Sequence, residues 1–153
     1  MELDRQLKSI IDDAANYGVS PVAIEHTVAP VLKMFADRLQ HLEYYILQNI
    51  EGDWVLSTIT NPQLEQTKNV IYAFVSVKDA ATFGGKTNPD LIAMSIPIAQ
   101  LLFKLFSLQQ VDAIVFLENS QNLNQGIEVK REHLLGLIQQ QIKQLNKVPP
   151  DIA

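Results

Sequence analysis

The chain contains no cysteine, which excludes disulfides, thiolate metal sites and thiol nucleophiles together. That absence fits a reducing compartment. No run of about 18–20 apolar residues is present, the length that a membrane-spanning helix requires. The start, Met1-Glu2-Leu3-Asp4-Arg5 with Ile10-Ile11-Asp12-Asp13 soon after, has neither the basic opening nor the unbroken apolar stretch of a secretory signal. The expected location is the cytoplasm.

Charge is also sparse. Charged residues are 19% of the chain, against about 25% in an average domain. Lys and Arg number 12 against 17 Asp and Glu. The deficit of bases is spread along the chain, with six acids to four bases in residues 1–42. No segment carries the basic footprint that phosphate backbones or anionic lipids require. The expectation is no nucleic-acid partner and no membrane partner. Apolar residues make up 47%, so part of the surface is expected to be apolar. Such surface marks interfaces, and the expected partner is another protein, a second copy of the chain, or both.

What is present reads as one α+β domain. Its 153 residues are enough to bury a core without staples. Leu3, Leu7, Ile10, Ile11 and Ala14 fall at helical spacing. Gly18 ends that helix, and Ser20-Pro21 starts a second as N-cap and first-turn proline. Its stripe is Ile24, Val28, Val31, Leu32, Phe35 and Leu39, with a kink or break expected at Pro30. Residues 1–42 are therefore expected to be an αα-hairpin.

The period then changes. Tyr44-Tyr45-Ile46-Leu47, the turn Glu51-Gly52-Asp53 and the run Trp54 to Thr60 read as a β-hairpin. Val70 to Val75 is a third strand. Ser76 and Asp79 look like the cap of a short helix that Gly84-Gly85 stops. Leu91 to Ser95 is ambiguous between strand and helix, with Pro97 favouring a strand that ends there. Ile98, Leu101, Leu102, Leu105 and Phe106 face a helix. Ala113 to Leu117 is expected to be the most central strand. After a polar loop from Asn119 to Gly126, the run Ile127 to Lys130 is a strand with one wet face. Leu134, Leu135, Ile138, Ile142 and Leu145 line a last amphipathic helix. The fold expected is a helical hairpin (1–42), then a mixed five- or six-stranded sheet with helices packed on it (43–148), and a disordered tail at 149–153.

Residues 72–83 (YAFVSVKDAATF), 91–106 (LIAMSIPIAQLLFKLF), 112–119 (DAIVFLEN) and 126–138 (GIEVKREHLLGLI) together resemble SseB-like domains. Residues 72–106 also resemble Tic-type chaperone proteins of chloroplasts and cyanobacteria. The likeness spans about residues 70–142, carried by apolar pattern with Asp79-Ala80 and Asn119 as its pointed matches. It implies a non-enzymatic interaction domain and supplies no catalytic residues. Type III secretion chaperones are a third likeness, whose element order requires Leu91 to Ser95 to be helix.

Candidate sites are few. Gly84-Gly85-Lys86-Thr87 ends like a phosphate-binding loop, and the apolar run ending in Glu118 imitates a magnesium-side acid. Yet Ala80 stands where the loop's first glycine is needed, and Asn88-Pro89 follows where a helix should start. A solvent loop is expected. His26, His41 and His133 have no zinc-type spacing, so no metal site is expected. Ser57, Ser76, Ser95, Ser107 and Ser120 lack a nucleophile-elbow context. Asp12-Asp13 and Glu51 with Asp53 read as solvated charge. Trp54, Tyr44, Tyr45 and Tyr72 lie on strands without accompanying bases, which disfavours base stacking. Neither catalytic residues nor a cofactor is expected. Met34, Phe35, Phe103 and Phe106 are the candidate interface residues. The chain is expected to be a non-enzymatic, regulatory or chaperone-like interaction module. The alternatives are a ligand sensor with a pocket between sheet and hairpin, or an enzyme with dispersed residues.

Overall fold

In a computed structural model, which describes residues 2–84, 90–118 and 126–147, the chain opens with helix α1 (Glu2–Asp13). Glu2 and Asp4 in its first turn suit the positive end of the helix dipole. Leu7 and Ile10 are buried. A 3-10 turn, Ala14–Tyr17, ends at Gly18, whose φ of 72° is the left-handed conformation that glycine adopts without strain. Ser20 then accepts a hydrogen bond from the Ala23 N–H at 3.4 Å. It caps α2 (Pro21–Ala23).

The break expected at Pro30 takes a specific form. A π-helical segment, Ile24–Val28, separates α2 from α3 (Ala29–Ala36), and the Ala29 N–H reaches back five residues to the Ile24 carbonyl. Pro30 has no N–H to give, so one extra residue is accommodated in the turn before it. The helix ends at Ala36, three residues short of Leu39, which is buried beyond it.

The sheet has six strands: β1 (Glu43–Gln48), β2 (Ser57–Asn61), β3 (Gln66–Phe74), β4 (Ile92–Pro97), β5 (Ala113–Leu117) and β6 (Ile127–Lys130). Its order is β4-β1-β3-β5-β6, with β2 also on β3. Among the described residues only the β3–β5 pair is parallel. The sheet is therefore mixed, and the ambiguous 91–95 run resolves as strand. The element order required by the type III chaperone likeness is thus not met.

Two expectations change here. The middle position belongs to β3, while β5 lies one place from it. The hairpin expected between β1 and β2 shrinks to one bridge, Gln48 to Trp54. Instead β1 and β2 both run antiparallel to β3, where Ile46 meets Ala73 and Ser57 meets Val70. Eleven positions on one side thus answer three on the other, so β1 and β2 are one strand interrupted by an excursion of eight residues. Asn49 builds its tip: its side-chain oxygen accepts from the Glu51 and Asp53 N–H groups, and Gly52 turns at φ 87°.

Alternation sorts the two faces of the sheet. Tyr44, Ile46, Ile71, Ala73, Ile114, Phe116 and Val129 join the main core. Over them lie α1, α3, α5 (Ile98–Ser107) and α6 (Arg131–Lys147), through Leu7, Leu32, Leu102, Leu134 and their neighbours. Leu47, Phe74 and Leu117 point the other way, to a smaller cluster with Ala80 of α4 (Val77–Gly84). The Asp79 N–H donates to Ser76 Oγ at 3.1 Å, so Ser76 caps α4 as expected.

Gly126 closes against β5. A Cβ there would stand 2.6 Å from Val115 Cγ1 and 3.1 Å from Leu117 Cδ2. Gly126→Ala is expected to cost roughly 1–3 kcal/mol, the usual range for overpacking. Urea denaturation would read it as a lower midpoint. The expected loops at 85–89 and 119–125 and the tail at 149–153 lie outside the described residues.

Candidate functional site

The most distinctive surface is the free side of β4, which ends the strand order. Its sequence, Ile92-Ala93-Met94-Ser95-Ile96-Pro97, has no charge. Pairing with β1 runs from Gln48–Ile92 to Glu43–Pro97. One pair further, the Ile98 N–H donates to the Leu42 carbonyl at 2.9 Å. In an antiparallel ladder the hydrogen-bonded pairs alternate. Ile96, Met94 and Ile92 therefore aim their backbone groups at β1. Leu91, Ala93 and Ser95 aim theirs outward, and so does Pro97, which has no N–H. Proline is tolerated there because only an edge position can do without the donor. Side chains in directly opposed pairs share a face. Ile92, Met94 and Ile96 thus lie on the helix-bearing side, level with Gln48, Ile46 and Tyr44. Ile92 is 46% exposed and Met94 44%.

Natural edge strands are usually blunted by charge or brevity. The opposite edge follows that rule: β6 has four residues, including Glu128 and Lys130. Outer strand β2 is Ser-Thr-Ile-Thr-Asn, polar at four of five positions. Among the described residues, only the β4 edge combines six residues with an apolar, uncharged row.

A second apolar feature lies on the opposite face. The rings of Tyr72 and Phe83 are 4.5 Å apart and those of Phe74 and Phe83 are 5.2 Å apart. With Leu47, Val55, Ser57 and Leu91 they line a cavity of about 220 Å³. The space where a ligand pocket was expected, between sheet and αα-hairpin, holds Leu7, Ile10, Val28, Leu32, Phe35, Tyr44 and Ile46, all buried.

Polar clusters here hold the fold. Tyr44 is fully buried, and its hydroxyl donates to Glu118 Oε1. Glu118 Oε2 accepts the Gln40 N–H at 2.8 Å. The carboxylate at the end of β5 therefore ties down the turn leading from α3 into β1. Burial first, then the hydrogen bond to Glu118 and its charge, push the Tyr44 hydroxyl well above its ordinary range. Glu118, which resembled a magnesium-side acid in sequence, has both oxygens engaged by protein donors. At the other end, Asp112 Oδ2 accepts the Asn69 N–H at 2.8 Å, and the Asp112 carbonyl accepts the Arg131 N–H at 2.9 Å. The Arg131 guanidinium donates to the carbonyls of Leu105 and Phe106, satisfying the C-terminus of α5. Asp79 is buried near the start of α4, and its Oδ2 accepts no hydrogen bond among the described residues.

No family model and no curated protein matches the chain.

The four interface candidates scatter. Met34 is 37% exposed. Phe35 is buried, with its ring edge-on to His133 at 5.3 Å and Arg38 above it at 5.8 Å. Phe35 therefore packs inside this chain. Phe103 and Phe106 are half-buried against the core. His26, His41 and His133 lie apart on exposed positions, and no group of three metal-ligating side chains occurs among the described residues. Asp12, Asp13, Glu51 and Asp53 are exposed. Trp54 is partly buried under the Lys104 ammonium, 4.5 Å from the ring centre. Residues 85–87 of the Gly-Gly-Lys-Thr stretch, and Ser120, lie outside the described residues. Among the described residues no helix is long and apolar enough to cross a membrane. Sequence reading missed the β4 edge because 91–95 was ambiguous. The available signal was a charge-free apolar alternation, Ile92, Met94 and Ile96, closed by Pro97.

Proposed function

We propose that the chain is a cytoplasmic, non-enzymatic protein-interaction module that binds by strand addition at β4. One observation carries this reading: β4 presents an uncharged edge whose outward backbone groups meet no strand among the described residues. Strand addition draws affinity from such main-chain groups and specificity from alternate side chains. The low charge and apolar surplus of the chain support the same reading. So does the resemblance to SseB-like and Tic-type domains, which implies a regulatory or chaperone-like use.

Ser95→Pro supplies the test. The Ser95 N–H points away from β1, so proline there removes an edge donor and leaves the β1 ladder its bonds. Wild-type protein used as bait in a lysate of its native host is expected to retain a stoichiometric partner that Ser95→Pro loses. A monomeric wild-type chain that recovers bait alone, or a partner indifferent to the substitution, would refute strand addition.

The second reading, a small-ligand sensor, has its support in the cavity beside Phe83. Its volume of about 220 Å³ lies below the roughly 300–1,000 Å³ of ordinary ligand sites. A thermal-shift screen of small apolar compounds decides it: no stabilising compound leaves strand addition alone.

A further inference from the structure

We infer that β4 pairs with β4 of a second copy, antiparallel across a two-fold axis through Met94, joining two sheets into one. This rests on the strand-addition reading and names its occupant. The outward groups allow this register and the apolar row selects it, because centring on Met94 sets Ile92, Met94 and Ile96 against Ile96, Met94 and Ile92 of the second copy. Ala93 and Ser95 present both an N–H and a carbonyl to the free side, as the bond from Ile98 to Leu42 and the β1–β4 register require. Antiparallel copies centred on Met94 set Ala93 against Ser95 of the second copy, and Ser95 against its Ala93. Each of these two pairs exchanges two backbone hydrogen bonds. Next along, the Leu91 N–H meets the Pro97 carbonyl of the second copy. Pro97 is asked there only to accept, which is all it can do. No outward donor from Leu91 to Ser95 is left over.

Side chains agree with the backbone. On the helix-bearing side, Met94 faces Met94 at the axis, and Ile92 faces Ile96 of the other copy. The row that is exposed in one copy is covered by the same row in the next, as a two-fold interface requires. On the opposite side, Ala93 and Ser95 are small. The chain carries a net charge of −5, but none of it lies on Ile92–Pro97, so like charges do not meet at the axis. An unrelated partner strand would need no such self-matching alternation about one residue.

The test uses full-length protein. Sedimentation is expected to give twice the chain mass of 17.2 kDa. Met94→Lys would set two ammonium groups face to face at the axis and weaken the dimer about tenfold or more. Its melting temperature as a monomer is expected to hold, because Met94 is exposed. Met94→Cys gives a sharper readout in a chain with no other thiol. A non-hydrogen-bonded antiparallel pair brings its Cα atoms to about 4.5 Å, within the disulfide range of about 4.4–6.8 Å. Mild oxidation should yield a covalent dimer, whereas Ile59→Cys on β2 should not. A wild-type monomer at high concentration overturns the inference. So does a dimer that Met94→Lys leaves intact or that Met94→Cys fails to cross-link. A monomer that still retains a partner sensitive to Ser95→Pro would sink only the second-copy occupant and leave strand addition standing.

Discussion

Phe116→Ala is expected to destabilise the chain by about 3–5 kcal/mol, the range for removing a buried aromatic ring. Phe116 is fully buried in β5. Its backbone is flanked on both sides, by Ala73 of β3 and Ile127 of β6. Its ring meets the Tyr44 ring edge-on at 4.9 Å. Tyr44 sits on β1, two strands away, so the contact joins β1 to β5 across the middle of the sheet. Relaxation cannot refill the cavity, because strands hold its floor and helices its roof. Small domains are stable by about 5–15 kcal/mol, so the loss is a large share of the total. For a chain of this length each kcal/mol moves the midpoint by roughly 2–4 °C. Calorimetry should therefore show a fall of roughly 6–20 °C, and a fall of only a degree or two would contradict this placement of Phe116.

Glu118→Ala is expected to cost about 2 kcal/mol, in the range for hydrogen bonds to a charged group. It removes the acceptor of a buried phenol and that of the Gln40 N–H together. A distinct signature comes from pH. The folded state holds the Tyr44 hydroxyl above its unfolded value of about 10. Such a group contributes its stabilisation in full below the unfolded value and loses it as pH rises beyond. The unfolded state releases a proton that the folded state keeps, so stability falls by about 1.4 kcal/mol per pH unit above pH 10. Tyr44→Phe should lower stability at pH 7 and remove that share of the alkaline slope. An unchanged slope in Tyr44→Phe would show that the phenol ionises freely in the folded protein.

Much of the architecture was legible where it depends on neighbours in sequence. Gly18, Ser20-Pro21 and Ser76 punctuate the sequence because capping is decided within a few residues, and the structure uses each of them so. The mixed sheet after a helical pair followed from the change in hydrophobic period near residue 43. Errors fell where partners are distant. Glu51-Gly52-Asp53 is a true turn, yet Tyr45 and Ile46 take their places opposite Phe74 and Ala73. Nothing between residues 44 and 60 encodes that choice. The middle of the sheet went to β3 for the same reason, since its length lets β1, β2 and β5 all pair with it. Among site residues, Phe35 has the spacing of a core position and an exposed one alike, and only the arrival of α6 with His133 settles it. The β4 edge is obscured in sequence because Leu91 and Ala93 fill the gaps in the Ile92, Met94 and Ile96 alternation, and a short filled apolar run is shared by strand and helix.

The strand order also has a consequence for how the chain is made. A ribosome delivers residues 1–42 and β1 first, but β1 pairs with β4, about fifty residues later, and the middle strand waits for β5. Until α5 emerges, Leu7, Ile10, Val28 and Leu32 have little of their eventual cover. Non-local pairing of this kind folds slowly and leaves apolar surface uncovered during the wait. The nascent helical hairpin is thus the stretch of this polypeptide with most need of an escort before the C-terminal half exists.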